Sequence, residues 1–348
     1  MTPRQKERTS IVVLEATRPP DGTTRYIDQV VTFADSDIVF KYLSLRTLLS
    51  RRLDVVHFHW PEVLLRGSNF AVRTLRLGAF VALIVLLRIR RVAVVRTLHN
   101  LKPHEQGSRI EARLLSVLDG MTTLFVTINS VTVAPGASVH IPHGHYRDRF
   151  AGFQRAEVVP GRVVHAGLVR PYKGIEGLVE VAAGLAPEGV ELRIVGKPTA
   201  ELRRVIGEAV AAHSNISARL EFVSDADLVS EITSAELVCL PYSEMHNSGM
   251  VLVALSLDRP VLVPETGTTN ALAREVGEGW VNRFADGLTE QALLDALRQA
   301  RLTLPDSHPN LQNRDWQAVG RMYSSAFRRA LAARRGRRLA QNGELGCQ

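Results

Sequence analysis

Short apolar runs alternate with longer stretches of helical periodicity along the chain, and this alternation sets the first expectation. Residues 11–14, 37–40, 54–59, 92–95 and 124–128 are compact runs rich in β-branched side chains and read as strands, with helix-length segments at 68–88 and 108–120 between them. The second half repeats the pattern: strand-like runs at 162–165, 192–196, 220–223, 237–240 and 261–263 alternate with helical patterns at 174–186, 225–234, 248–257 and 288–302. Strands that alternate with helices build a parallel sheet covered on both faces. The expected fold class is therefore α/β, with two Rossmann-like domains facing across a cleft. Residues 1–150 form the first and 151–315 the second, joined near 146–160, where Pro160-Gly161 marks a turn. Trp316, Val319, Met322, Phe327 and Leu331 recur at helical spacing, so 316–348 reads as a closing helix returning towards the first domain. A basic tail, solvated and mobile from about residue 336, follows it.

Composition narrows the class. A chain of 348 residues with 45% hydrophobic and 22% charged content is an ordinary globular composition, long enough for two domains. Its two cysteines, Cys239 and Cys347, offer neither a disulfide framework nor metal-ligand spacing, which suits a reducing compartment, the cytoplasm. The polar stretch 1–8 leads straight into a strand and lacks the apolar core of a signal peptide. The longest uncharged apolar run, 77–87, falls short of the roughly 20 residues of a spanning helix, so no crossing of the membrane is expected. The net charge of +8 collects in arginines around that run (Arg73, Arg76, Arg88, Arg90, Arg91) and in the tail, from Arg328 and Arg329 to Arg338. Such a surface attracts anionic lipid or phosphorylated substrates. With only 6% aromatic residues and no reading helix, nucleic acid is not an expected partner.

In doubly wound sheets the ligand crevice lies beyond the carboxyl ends of the strands, so polar residues there are the candidates for chemistry. His57-Phe58-His59-Trp60-Pro61-Glu62 ends one strand, and Pro61 restricts where Glu62 can point. Hydrogen-bonded core histidines with Glu62 capping the next helix are the structural alternative. His57 and His59 have no third ligand at a characteristic spacing, and no metal site is expected. A second cluster, Thr97 to Glu105, follows the next strand and contains His99, Asn100 and Glu105; a third, Pro142 to Tyr146, ends the first half. Each could equally be a turn with capping side chains. A sugar transfer with inversion needs a base for the acceptor hydroxyl, and Glu62, Glu105 and His99 are the candidates.

In the second half, Arg170 and Lys173 lie in the loop Gly167 to Gly174, which opens a helix and so combines cations with free amides suited to a diphosphate. Pro241 to Met250 includes Glu244, Asn247, Ser248 and Gly249 immediately before an apolar helix, a second place to hold phosphate oxygens as well as an ordinary cap. Glu265 opens a similar strand-loop-helix turn next door. Asp225-Ala226-Asp227 matches the D-x-D pattern of metal-dependent sugar transferases, but it opens a helix, where acidic residues are favoured anyway. No G-x-G-x-x-G follows a strand with an acidic residue some 20 positions on, which disfavours a dinucleotide dehydrogenase.

His59-Trp60-Pro61-Glu62, the run Arg96 to Glu105, His143 to Asp148, Gly167 to Gly174 and Met245 to Gly249, in this order, resemble the xanthan-type GDP-mannose:glycolipid 4-β-D-mannosyltransferase family. The resemblance runs from about residue 10 to Trp316. It implies a GT-B fold and an inverting transfer of mannose from GDP-mannose to a polyprenyl-diphosphate-linked oligosaccharide in exopolysaccharide biosynthesis, without a metal or other cofactor. For a lipid-linked acceptor the run 77–87, flanked by arginines, can lie peripherally on an anionic membrane at the cytoplasmic face of the inner membrane; that 68–88 is a buried Rossmann helix is the alternative. By position, Arg170, Lys173, Asn247, Ser248 and Gly249 become donor diphosphate contacts, while Glu62, His99 and Asn100 face the reacting centre. Retaining GT-B enzymes carry two glutamates eight positions apart; counted back from Arg259-Pro260-Val261, those positions hold Met245 and Val253, with Glu244 one place off. A transferase for another nucleotide sugar and a non-catalytic sugar-nucleotide-binding module are the competing readings.

Overall fold

The computed structural model describes residues 10–17, 19, 25–50, 52–99, 107–243, 245–304 and 307–344. They form two compact units: one runs to His143 and resumes at Arg314, the other spans Gly144–Asn313.

The first unit contains strands β1 (Ile11–Glu15), β2 (Ile38–Tyr42), β3 (Val55–Phe58), β4 (Ala93–Leu98), β5 (Leu124–Thr127) and β6 (Ser138–His140). They pair in parallel in the order β2-β1-β3-β4-β5-β6. Its helices are α1 (Arg25–Thr32), α2 (Leu45–Leu49), α3 (Phe70–Ile89) and α4 (Arg109–Met121). Strand β1 is flanked by β2 on one side and β3 on the other, so the connections diverge at the β1/β3 pair. That divergence opens a crevice at the carboxyl ends of the strands. One face of the sheet packs on α3 and α4 through Phe58, Phe80, Leu83, Ile84, Leu87 and Leu118.

The second unit begins with α5 (Arg147–Phe150) and contains β7 (Arg162–Ala166), β8 (Glu191–Val195), β9 (Ile216–Arg219), β10 (Leu237–Cys239), β11 (Val261–Pro264) and β12 (Val281–Phe284). The order is β12-β11-β10-β7-β8-β9, all parallel, with the divergence at β7/β10. Helices α6 (Ile175–Gly184), α7 (Ala200–Ala212), α8 (Asp225–Thr233), α9 (Gly249–Ser256), α10 (Gly267–Val276) and α11 (Glu290–Thr303) cover its faces, and α12 (Trp316–Glu344) belongs to the first unit.

Several boundaries differ from the sequence expectation, each for a local reason. The unit boundary falls at 143/144 rather than 150, because Phe150 and Tyr146 are buried in the second core and the Tyr146 amide donates to Ser256 Oγ at 2.8 Å. The helix expected from 316 does return to the first unit, where Trp316, Val319, Tyr323, Ala326, Phe327 and Ala330 of α12 fill the remaining face of the sheet. Tyr323, not the half-exposed Met322, is the inward residue of that turn. Gly320 is what lets α12 lie so close, since a Cβ there would meet the Phe33 carbonyl oxygen at 1.9 Å. The stretch after 336 continues the helix to Glu344 instead of ending it. The expected strand at 220–223 is displaced to Ile216–Arg219, where Ile216 pairs with Leu192.

Helix α3 also differs. It is 20 residues long, with a mean hydropathy of 2.1 over its most apolar window, enough by length and composition to span a bilayer. The uninterrupted run 77–87 understates it because Arg73, Arg76 and Arg88 sit within the helix. Only Phe80, Leu83, Ile84 and Leu87 are buried; Leu75, Val85 and Ile89 point outward, with Ile89 75% exposed.

Candidate functional site

Both crevices are lined by the residues that a parallel sheet least tolerates, buried polar ones. In the first unit, β1 ends in Glu15 and β3 carries His57 in direct register with it; both are fully buried. Burial would raise the Glu15 carboxyl, but the charges and hydrogen bonds of His57 and His59 hold it down at about 2, so it is a carboxylate. Its Oε1 accepts from His57 Nδ1 at 2.9 Å, and its Oε2 faces His59 Nε2 at 3.2 Å. His57 Nε2 meets Thr97 Oγ1 at 2.8 Å, and Thr97 continues to the Tyr323 hydroxyl, which pairs with Tyr26 at 2.5 Å. His59 Nδ1 in turn lies 2.9 Å from His99 Nε2. Trp60 stacks on the His99 ring at 4.2 Å between centroids, and Tyr26 meets it edge-on at 5.0 Å. Burial lowers His59 to about 4, with the His57 ring adding to the effect and Glu15 opposing it. Burial, then the neighbouring His59, His143 and His57, push His99 further below its ordinary value. Both rings are neutral at physiological pH.

Glu62 lies elsewhere. It sits in the 3-10 turn Pro61–Leu64 and stabilises the charge of Arg96, which burial opposes; Arg96 also pairs with Asp119 of α4. Arg96 and Thr97 are successive residues of β4 and point to opposite faces of the sheet, so Glu62 attends the α4 face and the histidine chain the α12 face. His59 and His99 are brought together as the sequence suggested. Asn100 and Glu105 lie outside the described residues.

Glu15, Tyr26 and Tyr323 were not among the sequence candidates, and Thr97 opened the second cluster without a role of its own. The signal for Glu15 was present: an acidic residue closing the run Ile11-Val12-Val13-Leu14. The same residue supplies the third group that spacing alone did not place beside His57 and His59, because it is 42 positions away. Ligand atoms of the three lie within 4.8 Å of one another; His57 and Glu15 are joined by a hydrogen bond, and His59 meets the other Glu15 oxygen as an ion pair.

In the second unit, the loops after β7 and β10 meet at the divergence. Gly174, at φ 66°, caps a 3-10 turn of Pro171–Lys173 and starts α6; a Cβ there would sit 2.2 Å from the Pro241 carbonyl oxygen. Ser243 binds the Tyr172 carbonyl through both its amide and its hydroxyl, tying the two loops together. Lys173 is buried, its Nζ 3.1 Å from the Tyr242 hydroxyl and 4.6 Å above that ring. Burial, with Arg170 nearby, pulls its ammonium down to about 8. Arg170 directs one guanidinium nitrogen to the carbonyls of Val169 and Lys197. Ser248 is the N-cap of α9 but makes no side-chain capping bond, and its hydroxyl instead supports Tyr242. The first amides of α9, from Gly249 onward, are therefore available beside a buried ammonium. Beneath them His165 donates from Nδ1 to the Cys239 carbonyl, and burial and Lys173 hold it at about 3. Glu265 is exposed and accepts from Asn270, ahead of the Thr266 capping box of α10. Glu244 lies outside the described residues. Asp225 and Asp227 are engaged by Arg149 and Arg219, as befits a helix start.

Two six-stranded parallel units, each with a polar crevice at its topological divergence, define a glycosyltransferase of the GT-B fold. Residues 160–300 match the family model of glycosyl transferases group 1. The chain aligns over 96% of its length with all of the Anabaena protein HepE in complex with UDP (TM-score 0.57, 14% identity). It also aligns over 93% of its length with 99% of the catalytic domain of Arabidopsis thaliana starch synthase IV bound to ADP and acarbose (TM-score 0.59, 10% identity). It is 41% identical, over 92% of its own length and 93% of the relative's, to the GDP-mannose:glycolipid 4-β-D-mannosyltransferase of Xanthomonas campestris pv. campestris. The chain belongs to this mannosyltransferase family.

Proposed function

We propose that this enzyme transfers mannose from GDP-mannose to a polyprenyl-diphosphate-linked oligosaccharide, with inversion, in exopolysaccharide assembly. The observation that carries the reading is the 41% identity along nearly the whole of a GDP-mannose:glycolipid 4-β-D-mannosyltransferase. In the second unit, Lys173, Arg170 and the first amides of α9 hold the donor diphosphate and stabilise the charge that develops on the departing GDP, so no divalent ion is needed. In the first unit, His99 takes the proton of the acceptor hydroxyl as that oxygen attacks the anomeric carbon, in preference to Glu62, whose charge is turned towards Arg96.

A lipid-linked acceptor calls for a membrane surface, and α3 supplies the features of one. Its outward apolar residues Leu75, Val85 and Ile89 are interspersed with exposed Arg73 and Arg88. Beside them a recess of about 240 Å³ is lined mainly by Leu43, Leu45, Leu48, Leu64, Phe80 and Leu83. We place the enzyme peripherally on the cytoplasmic face of the inner membrane by this argument. The deciding experiment is transfer of labelled mannose to a polyprenyl-diphosphate oligosaccharide in EDTA. Transfer under chelation is expected; turnover lost in EDTA and restored by magnesium or manganese refutes the metal-free site. Transfer only from another nucleotide sugar refutes the donor.

A further inference from the structure

The chain of imidazoles in the first unit has one consistent pattern of protons, and it reaches His99. Glu15 is a carboxylate and can only accept. Its Oε2 and His59 Nε2 are buried 3.2 Å apart, an ion-pair contact outside hydrogen-bond geometry, and among the described residues neither atom has a hydrogen-bond partner. If Nε2 of His59 were bare, a lone pair would confront a buried carboxylate oxygen, leaving two unsatisfied groups at a cost of about 1–3 kcal/mol each. His59 is therefore protonated on Nε2. Being neutral, it is bare on Nδ1, and the 2.9 Å contact there must be donated by His99 Nε2. Stacking on Trp60 and the edge-on contact with Tyr26 hold the His99 ring in the plane that makes this bond.

We propose that Glu15 and His59 are positioning residues that hold His99 in its Nε2-protonated tautomer, so that His99 Nδ1 bears the lone pair that accepts the acceptor-hydroxyl proton. The inference rests on the mannosyl-transfer reading for its substrate, but the tautomer itself follows from the ionised Glu15, the neutral His59 and the contacts along the chain. In the step, the acceptor oxygen forms its bond to the anomeric carbon while the bond from that carbon to the GDP oxygen breaks, its electron pair leaving with GDP. The hydroxyl proton passes to His99 Nδ1. The resulting imidazolium is stabilised through His59 by the Glu15 charge, and its proton is later lost to solvent. His57, donating to the other oxygen of Glu15, fixes the carboxylate in the orientation that His59 requires.

The test starts with the native sequence. In protein labelled with ¹⁵N-histidine, two-bond proton–nitrogen spectra, with His99 assigned by the loss of its signals in His99→Ala, should show Nε2 protonated and Nδ1 bare. A His99 protonated on Nδ1 overturns the proposal, as does a stoichiometric divalent metal retained by the purified protein on His59 Nε2. Glu15→Gln should lower kcat by about 10²-fold or more, with the KM for GDP-mannose little changed, because orientation and charge are lost but not donor contacts. Should Glu15→Gln fail to fold, the native spectrum still decides. Full turnover by His99→Ala would overturn the proposal while leaving mannosyl transfer intact. A wild-type enzyme that transfers no mannose would refute the functional reading and leave the tautomer result standing.

Discussion

Lys173 is an ammonium held out of water with no counter-charge among the described residues, and replacing it with methionine should make the protein more stable while abolishing donor binding. Among the described residues no carboxylate pairs with it; its contacts are the Tyr242 hydroxyl and ring. The fall from 10.5 to about 8, caused by burial and then by Arg170, is worth about 3 kcal/mol at roughly 1.4 kcal/mol per pH unit. Methionine has a similar length and no charge, so it recovers that cost but forfeits a hydrogen bond and a ring contact together worth about 1–2 kcal/mol. The net expectation is a gain of about 1–2 kcal/mol for Lys173→Met at pH 7, read from urea unfolding.

The sign of the pH dependence follows. The folded-state value lies below the unfolded one, so between about 8 and 10.5 the unfolded chain binds more protons and the wild type gains stability as pH rises. The advantage of Lys173→Met should thus be complete below pH 8 and fade towards pH 10. All other titrating groups are common to the two proteins and cancel in the difference. GDP should raise the melting temperature of the wild type and not of the variant, because a ligand stabilises only the state it binds. A variant less stable than wild type by 1 kcal/mol or more at pH 7, or one whose advantage stays flat to pH 10, would show that the ammonium is compensated and refute the argument.

His59 and His165, held near 4 and 3, are buried neutral; below pH 6.5 the unfolded chain takes up protons first, so unfolding free energy should fall as pH drops from 6.5 towards 4. Stability constant across that interval, measured by denaturant titration, counts against the neutral assignment. His99→Ala should reduce transfer by about 10²–10⁴-fold, whereas Glu62→Gln should leave most of it; single-turnover rates with both variants compare them directly, and the reverse ranking moves the base to Glu62. Binding to liposomes should be stronger with anionic than with neutral lipid, weaken in salt, and be lost on charge reversal at Arg73 and Arg88 without unfolding. Arg76 and Arg90 are unsuitable for that test because they bond backbone carbonyls of neighbouring turns. Equal, negligible binding to both kinds of vesicle removes the membrane surface from the proposal.

The periodicity that announced the fold was legible because a parallel sheet buried on both faces demands uninterrupted β-branched runs. Val55-Val56 and Val92 to Val95 advertise themselves. What the sequence hid were elements whose apolar character is incomplete. Strand β6 has no buried residue, and β9 carries an exposed Ser217 and a half-buried Arg219, so the neighbouring 220–223 looked the better strand until pairing with β8 chose between them. The arginines of the tail read as free charge, yet Arg328 pairs with Asp35 and Asp37, and Arg334 bonds the Arg91 carbonyl, contacts set by helix docking over nearly 300 and 243 positions.

The site divides along the same line. The loop candidates that could be found, His59, His99, Lys173 and Ser248, sit just past strand ends, where local order alone suggests a crevice. Those it did not single out, Glu15, Tyr26 and Tyr323, owe their roles to register and docking: Glu15 acquires His57 through the β1/β3 pairing, and Tyr323 acquires Thr97 across 226 positions. The physical consequence is that α12 does more than complete a core. Its Tyr323 hydroxyl carries the hydrogen-bond chain that starts at Glu15 on to Tyr26, and at Gly320, three residues before Tyr323, a Cβ would collide with the Phe33 backbone. A displacement of α12 would therefore take the Tyr323 hydroxyl from Thr97, while Thr97 itself stays on β4 beside His57 Nε2. The outer end of that chain thus depends on the seating of a helix that reaches the first unit only after the whole of the second has been traversed.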